Sequence, residues 1–209
     1  MLCSSSLCAP IQTIWGFIDC TIHAMCHPTW FQCQGYSGHK KVHTLKYQAV
    51  VLVNGIITHL FGLEVGRHND NHLLASSNLL QKCAEHAIHP NASQLPLHHH
   101  RFQLFGDPAY GISLLLMSPF ARNQRTEEEL EWNKAMASVR IEVEHAFGGV
   151  VRAWPFLDAW WKHQIFSSPV GLYYRIGVLL TNALNCVRPN QTSQTFDCEP
   201  PTLEEYFHD

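Results

Sequence analysis

Lys41-Val42-His43-Thr44-Leu45-Lys46-Tyr47-Gln48-Ala49-Val50-Val51-Leu52-Val53-Asn54-Gly55-Ile56-Ile57-Thr58-His59-Leu60-Phe61 is the stretch that decides the fold. Its first thirteen residues are rich in β-branched and aromatic side chains. Asn54-Gly55 follows, and a second apolar run takes over at Ile56. Asn-Gly between two apolar runs marks a two-residue hairpin, because both central residues of that turn take positive φ. Val50 to Val53 is apolar without interruption, which predicts a strand covered on both faces.

Working outward, Ile14 to Asp19 reads as a short buried strand, and His23 to Tyr36 as a loop rich in Pro, Cys, Gln and Gly. After the hairpin, Gly62 to Asn69 reads as a turn. The spacing of Leu73, Leu74, Leu79, Leu80, Cys83 and Ala84 predicts a helix that Asp70 can cap. His89 to Arg101 is an irregular linker, Phe102 to Phe105 a strand, and Leu114 to Phe120 is ambiguous. Thr126-Glu127-Glu128-Glu129 carries an N-cap Thr with Glu three residues on, which predicts a helix start. That helix can run to Trp154, before Pro155. A last helix spans Val170 to Cys186, with Leu172, Ile176, Leu179, Leu180 and Leu184 expected in the core. A strand, a hairpin, a helical crossover and a further strand predict an α/β fold: a mixed sheet flanked by helices.

The bulk numbers narrow the function. The chain has 209 residues, 46% of them hydrophobic and 15% charged, so it can bury one core and is not a disordered chain. The net charge is −3 with His neutral. Tight nucleic-acid binders usually carry a basic excess, and this chain has none, although its 15 His add charge as pH falls. Eight Cys occur without any Cys-x-x-Cys pair. Cys20, His23, Cys26, His27 and Cys33 come nearest to a ligand set, with spacings unlike the common zinc sites. Reduced thiols in a nuclear or cytoplasmic protein are the expectation. The first eight residues lack a signal peptide's basic start and apolar core, and no run is long enough to span a membrane.

Three acids stand in distinct settings. Asp19 and Asp107 follow apolar strands, and Glu144 lies on the predicted long helix. Two carboxylates at strand ends and one on a helix can hold a pair of Mg²⁺ ions against a phosphodiester, since Mg²⁺ takes oxygen ligands and keeps waters. An Asp that merely starts a turn is the plainer reading of either strand end. Glu142 and Glu144 lie about 200° apart around a helix axis, and spacing alone does not choose between them.

The segments Gly16-Phe17-Ile18-Asp19-Cys20-Thr21, Tyr36-Ser37-Gly38-His39-Lys40-Lys41, Gly66-Arg67-His68-Asn69-Asp70, Gly106-Asp107-Pro108-Ala109-Tyr110, Asn133-Lys134 to Arg140 and Glu144-His145-Ala146-Phe147-Gly148 resemble, in order and spacing, the nuclease domain of DDE-type transposases of the Harbinger/PIF-like group. The resemblance implies an RNase H-like fold over residues 15–187, between a remnant segment 1–14 and a polar tail 188–209. It implies a metal-dependent DNA endonuclease that works with two Mg²⁺ (or Mn²⁺) ions, and it places Asp19, Asp107 and Glu144 as catalytic metal ligands. The Phe-Gly after Glu144 selects it over Glu142. Asp70 matches a further acidic position, with metal binding and helix capping both open. His39, Lys40 and Lys41 are candidate phosphate contacts, or simply the basic start of a strand.

Two departures stand out. The family usually has Gly where this chain has Cys20, and relatives carry a DNA-binding region ahead of the first Asp. They motivate a second reading, a catalytically impaired or domesticated remnant acting through protein interaction. DNA is the implied partner. A separate DNA-binding protein or a homo-oligomer is the further partner to expect.

Overall fold

The computed structural model describes residues 13–208, apart from 31, 39, 98, 99, 122–124 and 166 and the side chains of 142 and 143. Among the described residues, six strands join in one sheet: β1 (Ile14–Ala24), β2 (Tyr36–Ser37), β3 (Val42–Val51), β4 (Ile57–Val65), β5 (Gln103–Phe105) and β6 (Leu116–Met117). Across the sheet the order is β4, β3, β1, β5, β6, with β2 added to the start of β3. β3 runs antiparallel to β1 and β4, whereas β5 is parallel to β1 and β6 parallel to β5. The expected mixed α/β sheet is therefore present.

Helices α2 (Asp70–Ser76) and α3 (Leu79–His86) cover one face of the sheet, and α4 (Glu127–Ala153) and α5 (Val170–Val187) cover the other. The remaining helices are short: α1 (Gln32–Gly35), α6 (Gln191–Phe196) and α7 (Leu203–Tyr206). Val50 packs with Ile18, Leu74, Leu79, Cys83, Leu104 and Leu116, while Val51 packs with Phe17, Phe105, Met136, Val139 and Val150. Both valines are 0% exposed, which is the two-sided coverage their apolar run predicts. Each such burial contributes about 1.5–3 kcal/mol.

The hairpin differs in its turn. Leu52 N donates to the Ile56 carbonyl at 2.9 Å, which leaves a three-residue loop, Val53-Asn54-Gly55. Only Gly55 of the three has positive φ (80°), and the Asn54 side chain accepts from Ile56 N at 3.1 Å. A turn closed by a left-handed Gly is the common three-residue alternative to the two-residue hairpin. Tertiary contacts favour it here: Asn190 Nδ2 and Asn185 Nδ2 donate to the carbonyls of Asn54 and Gly55.

β4 is longer than its apolar run. It continues through Gly62 to Val65 across an irregularity opposite Lys46 and Gln48, so the expected turn is confined to the residues just before α2. The expected single helix after Asp70 is broken in two. Asn78 takes a left-handed φ of 54°, and the Ser77 hydroxyl donates to the Leu74 carbonyl, a local bond that competes with helix continuation.

α4 starts as predicted, with a reciprocal capping box between Thr126 and Glu129. α5 corrects the core expectation. Its buried residues include Val170, Tyr174, Gly177, Val178, Thr181 and Asn182, while Leu172, Ile176, Leu179 and Leu180 are exposed and Leu184 is half-buried. The helix is apolar on both sides, so leucine count does not select the inward face. Partnered polar groups do. Asn182 bonds both the N–H and the carbonyl of Ile57, and the Thr181 hydroxyl accepts from Trp154 Nε1 while donating to the Gly177 carbonyl. Beyond Arg188 the polar segment sends one large ring inward: Phe196 is 1% exposed and stacks on Phe17 with centroids 6.4 Å apart.

Candidate active site

Asp19 is in the interior of β1, paired with Ala49, rather than at the strand's end. What ends beside it is β5. Phe17 pairs with Phe105 in the parallel register, and β5 stops there. Asp19 and Asp107 each follow that pair by two residues. Strand side chains alternate between faces, so Asp19 shares the face of Phe17. Asp107 keeps an extended backbone (φ −72°, ψ 169°) and continues the side of Phe105. Phe17 and Phe105 both belong to the core under α4 and α5. The two acids thus emerge side by side, on the face that α4 covers, where β5 no longer fills the sheet.

Asp107 is held by its own backbone. Its carboxylate accepts from Ala109 N at 3.0 Å and caps the short turn Pro108–Tyr110, while its carbonyl accepts from the Ser118 hydroxyl at 2.9 Å. Asp19 accepts one local bond, from Cys20 N at 2.8 Å. Burial pushes the Asp19 carboxyl up to about 6, with Asp107 and Asp70 adding to the rise and the Cys20 amide and Arg140 opposing it. A half-buried carboxylate beside a second one is short of positive charge, and oxygen donors in that state suit a hard divalent cation.

Arg140 and Glu144 stand on α4 above this pair. Arg140 is near enough to act on Asp19, and its Nη2 lies 3.5 Å from Glu144 Oε1. It lines, with Phe105, Pro119, Met136, Ala137, Ile141 and Glu144, a groove between α4 and the end of β5. Met136 points into the core, and Glu144 lies about 80° around the axis from it. Glu144 is accordingly on the flank, with its side chain 56% exposed. Asp19, Asp107 and Arg140 come together, and Glu144 joins them through Arg140. Sequence reading assigned Arg140 no role, although its i−4 spacing to Glu144 puts the two on one helix face.

Cys20 does not occupy the acids' face. Its side chain turns to the opposite side of the sheet, where Sγ lies 3.2 Å from the Tyr110 hydroxyl, beside the core of Ile18 and Val50. Burial pushes both the thiol and the phenol well up, so each stays protonated. The Cys20 side chain therefore leaves the space around Asp19 unfilled.

Asp70 lies on that opposite side too. It ion-pairs with Lys46 and reaches Cys20, and it does not cap α2. The cap is Asn69, whose side chain accepts from His72 N at 2.8 Å. Lys40 and Lys41 are exposed at the turn before β3. Lys41 is eight residues from Ala49, the partner of Asp19, or about 27 Å along an extended strand; His39 lies outside the described residues. Trp154 is packed in the core, and Trp160 and Trp161 are exposed. Among the described residues, Cys20, His23, Cys26, His27 and Cys33 form no metal-binding group, and His98 and His99 lie outside them.

Neither the comparison with curated proteins nor that with solved structures gave a match. Among protein families, the DDE superfamily endonuclease matches residues 18–182, an interval that opens one residue before Asp19 and contains Asp107, Arg140 and Glu144. The mixed sheet, the two register-matched aspartates and this match over most of the chain agree: the protein belongs to the DDE superfamily endonuclease family.

Proposed function

We propose that the chain is a transposase-type DNA endonuclease of the Harbinger/PIF-like group, cutting phosphodiester bonds with two divalent ions, Mg²⁺ or Mn²⁺. Family membership supports nuclease chemistry on DNA, and domains of this family usually use divalent metals. The carrying observation is the parallel pair Phe17–Phe105, which brings Asp19 and Asp107 out together under α4. These two acids would hold the ions. Glu144 would complete the set when Arg140 releases it.

Paired divalent ions supply an activated water and stabilise the leaving oxygen. The chain's own residues set the frame. The Ala109 and Cys20 amides orient the two carboxylates, and the Arg140 guanidinium offsets part of their charge. Asp70 braces the back of β3 through Lys46 and is outside the ligand set in this reading. With a net charge of −3 the chain lacks a basic excess, so a separate DNA-binding protein would supply the grip on DNA phosphates, in the nucleus or the cytoplasm. No helix among the described residues is long and apolar enough to cross a membrane.

Purified protein should nick supercoiled DNA with Mn²⁺ or Mg²⁺, and Asp107→Asn should abolish the nicking. Equal activity in both proteins would sink the assignment. The Arg140–Glu144 pair favours one other reading, a copy held inactive. Nicking that appears only in Arg140→Ala would establish that reading.

A further inference from the structure

A second group of donors lies outside the proposed nuclease centre. Glu64 at the end of β4, His68 in the following turn and His72 on α2 offer one ligand atom each, all within 4.8 Å of one another. His68 Nδ1 is 3.0 Å from Glu64 Oε2, and the two imidazoles lie 4.1 Å apart between centroids. We propose that Glu64, His68 and His72 bind one divalent transition-metal ion of the zinc class.

The donor set decides the ion. Two imidazoles and one carboxylate suit Zn²⁺, Co²⁺, Ni²⁺ or Cu²⁺, whereas Mg²⁺ prefers oxygen alone. Bonds of about 2.0–2.2 Å to nitrogen and oxygen bring tetrahedral donors to roughly 3.4 Å apart. A spread of no more than 4.8 Å closes to that by side-chain rotation. Glu64 and His68 are half-buried and His72 is exposed, which leaves water the fourth position.

The backbone carrying the donors is fixed on both sides. Gly66 N donates to the Thr44 carbonyl at 3.0 Å, and a Cβ on Gly66 would fall 1.8 Å from Thr44 Oγ1, so only Gly allows the turn to lie this close to β3. Lys46 Nζ donates to the His68 carbonyl at 3.2 Å and pairs with Asp70. Asn69 caps the helix that carries His72. Such support holds ligands before the ion arrives, which is what separates a site from scattered surface histidines. The bound ion ties β4 to α2, directly beside the Lys46–Asp70 pair.

The test is calorimetric titration of Zn²⁺ into the full chain, with Co²⁺ absorption reporting coordination. Because the chain has 15 His, weak sites are expected, and the comparison with variants carries the result. Wild type should show one site with micromolar or tighter affinity. His72→Ala, an exposed position, should keep the metal-free melting temperature and lose at least about 100-fold in affinity, and His68→Ala should lose the site. Asp19→Asn with Asp107→Asn should retain it, which separates this ion from the carboxylate centre. Equal stoichiometry and affinity in wild type and His72→Ala, or no binding tighter than about 100 μM in wild type, overturns the proposal.

Discussion

Replacing Asp19 by Asn should stabilise the metal-free protein at neutral pH. The Asp19 carboxyl titrates at about 6 in the fold against an ordinary value of 3.8. Between those values the folded chain holds a proton that the unfolded chain has lost, so stability from this group falls as pH rises through the window. The loss amounts to roughly 3 kcal/mol above pH 6. Asn keeps the oxygen that accepts from Cys20 N and carries no charge. The melting-temperature gap between variant and wild type should therefore be near zero at pH 4. It should open to about 6–12 °C in favour of the Asp19→Asn variant at pH 7, using roughly 2–4 °C per kcal/mol for a domain of this size. Wild type alone cannot report this. Burial lowers His23 to about 4 from 6.5, and that group loses stability as pH falls through much of the same range, masking Asp19. The difference between the two proteins removes His23 from the comparison. Scanning calorimetry in EDTA from pH 4 to 7.5 measures it. A gap that stays constant with pH would refute the argument that Asp19 carries a buried, under-compensated charge. Adding Mn²⁺ at pH 7 should then raise the wild-type transition and leave Asp19→Asn nearly unmoved.

Other expectations follow from single contacts. Phe196→Ala should cost about 3–5 kcal/mol in urea unfolding, because this ring is buried against Phe17 despite its polar surroundings. Gly55→Ala should destabilise by more than about 1 kcal/mol: its φ is positive, and a Cβ would fall 2.3 Å from Asn190 Oδ1. Thr126→Ala should cost about 1 kcal/mol by removing the cap of α4, and Thr126→Ser should restore most of it. Leu179→Lys and Leu180→Lys on the exposed face of α5 should each change stability by under about 1 kcal/mol, where a core leucine would cost far more.

What could be read from the sequence was whatever local chemistry decides. The strand of Val50 and Val51 was legible because two adjacent 0%-exposed valines need two covered faces. The start of α4 was legible because Thr126 and Glu129 satisfy each other within four residues. The three-residue turn was not, since Asn190 and Asn185, some 130 residues away, hold it. Nor was the inward face of α5: Asn182 is buried only because the Ile57 backbone is there to bond both ends of its amide. The same division runs through the candidate site. Asp19 and Asp107 were picked out as acids closing apolar runs, yet the reason they meet is the parallel register of β1 with β5, which no local pattern encodes. Cys20 read as a departure that motivates an impaired copy. The alternation of β1 sends it to the far face, against Tyr110.

That alternation also separates two jobs that adjacent residues do. On the α4 side, Asp19, Asp107, Arg140 and Glu144 leave a net negative charge that a cation can relieve. On the α2 side, Lys46 already neutralises Asp70, and the Cys20 thiol and Tyr110 phenol stay protonated. A divalent ion gains beside Asp19, whereas at Asp70 the charge is already matched by Lys46. The electrostatic reason for placing Asp70 outside the ligand set is thus independent of distance. It makes Arg140 the residue to watch, because in the proposed centre it is the cation that an incoming ion would displace from Glu144.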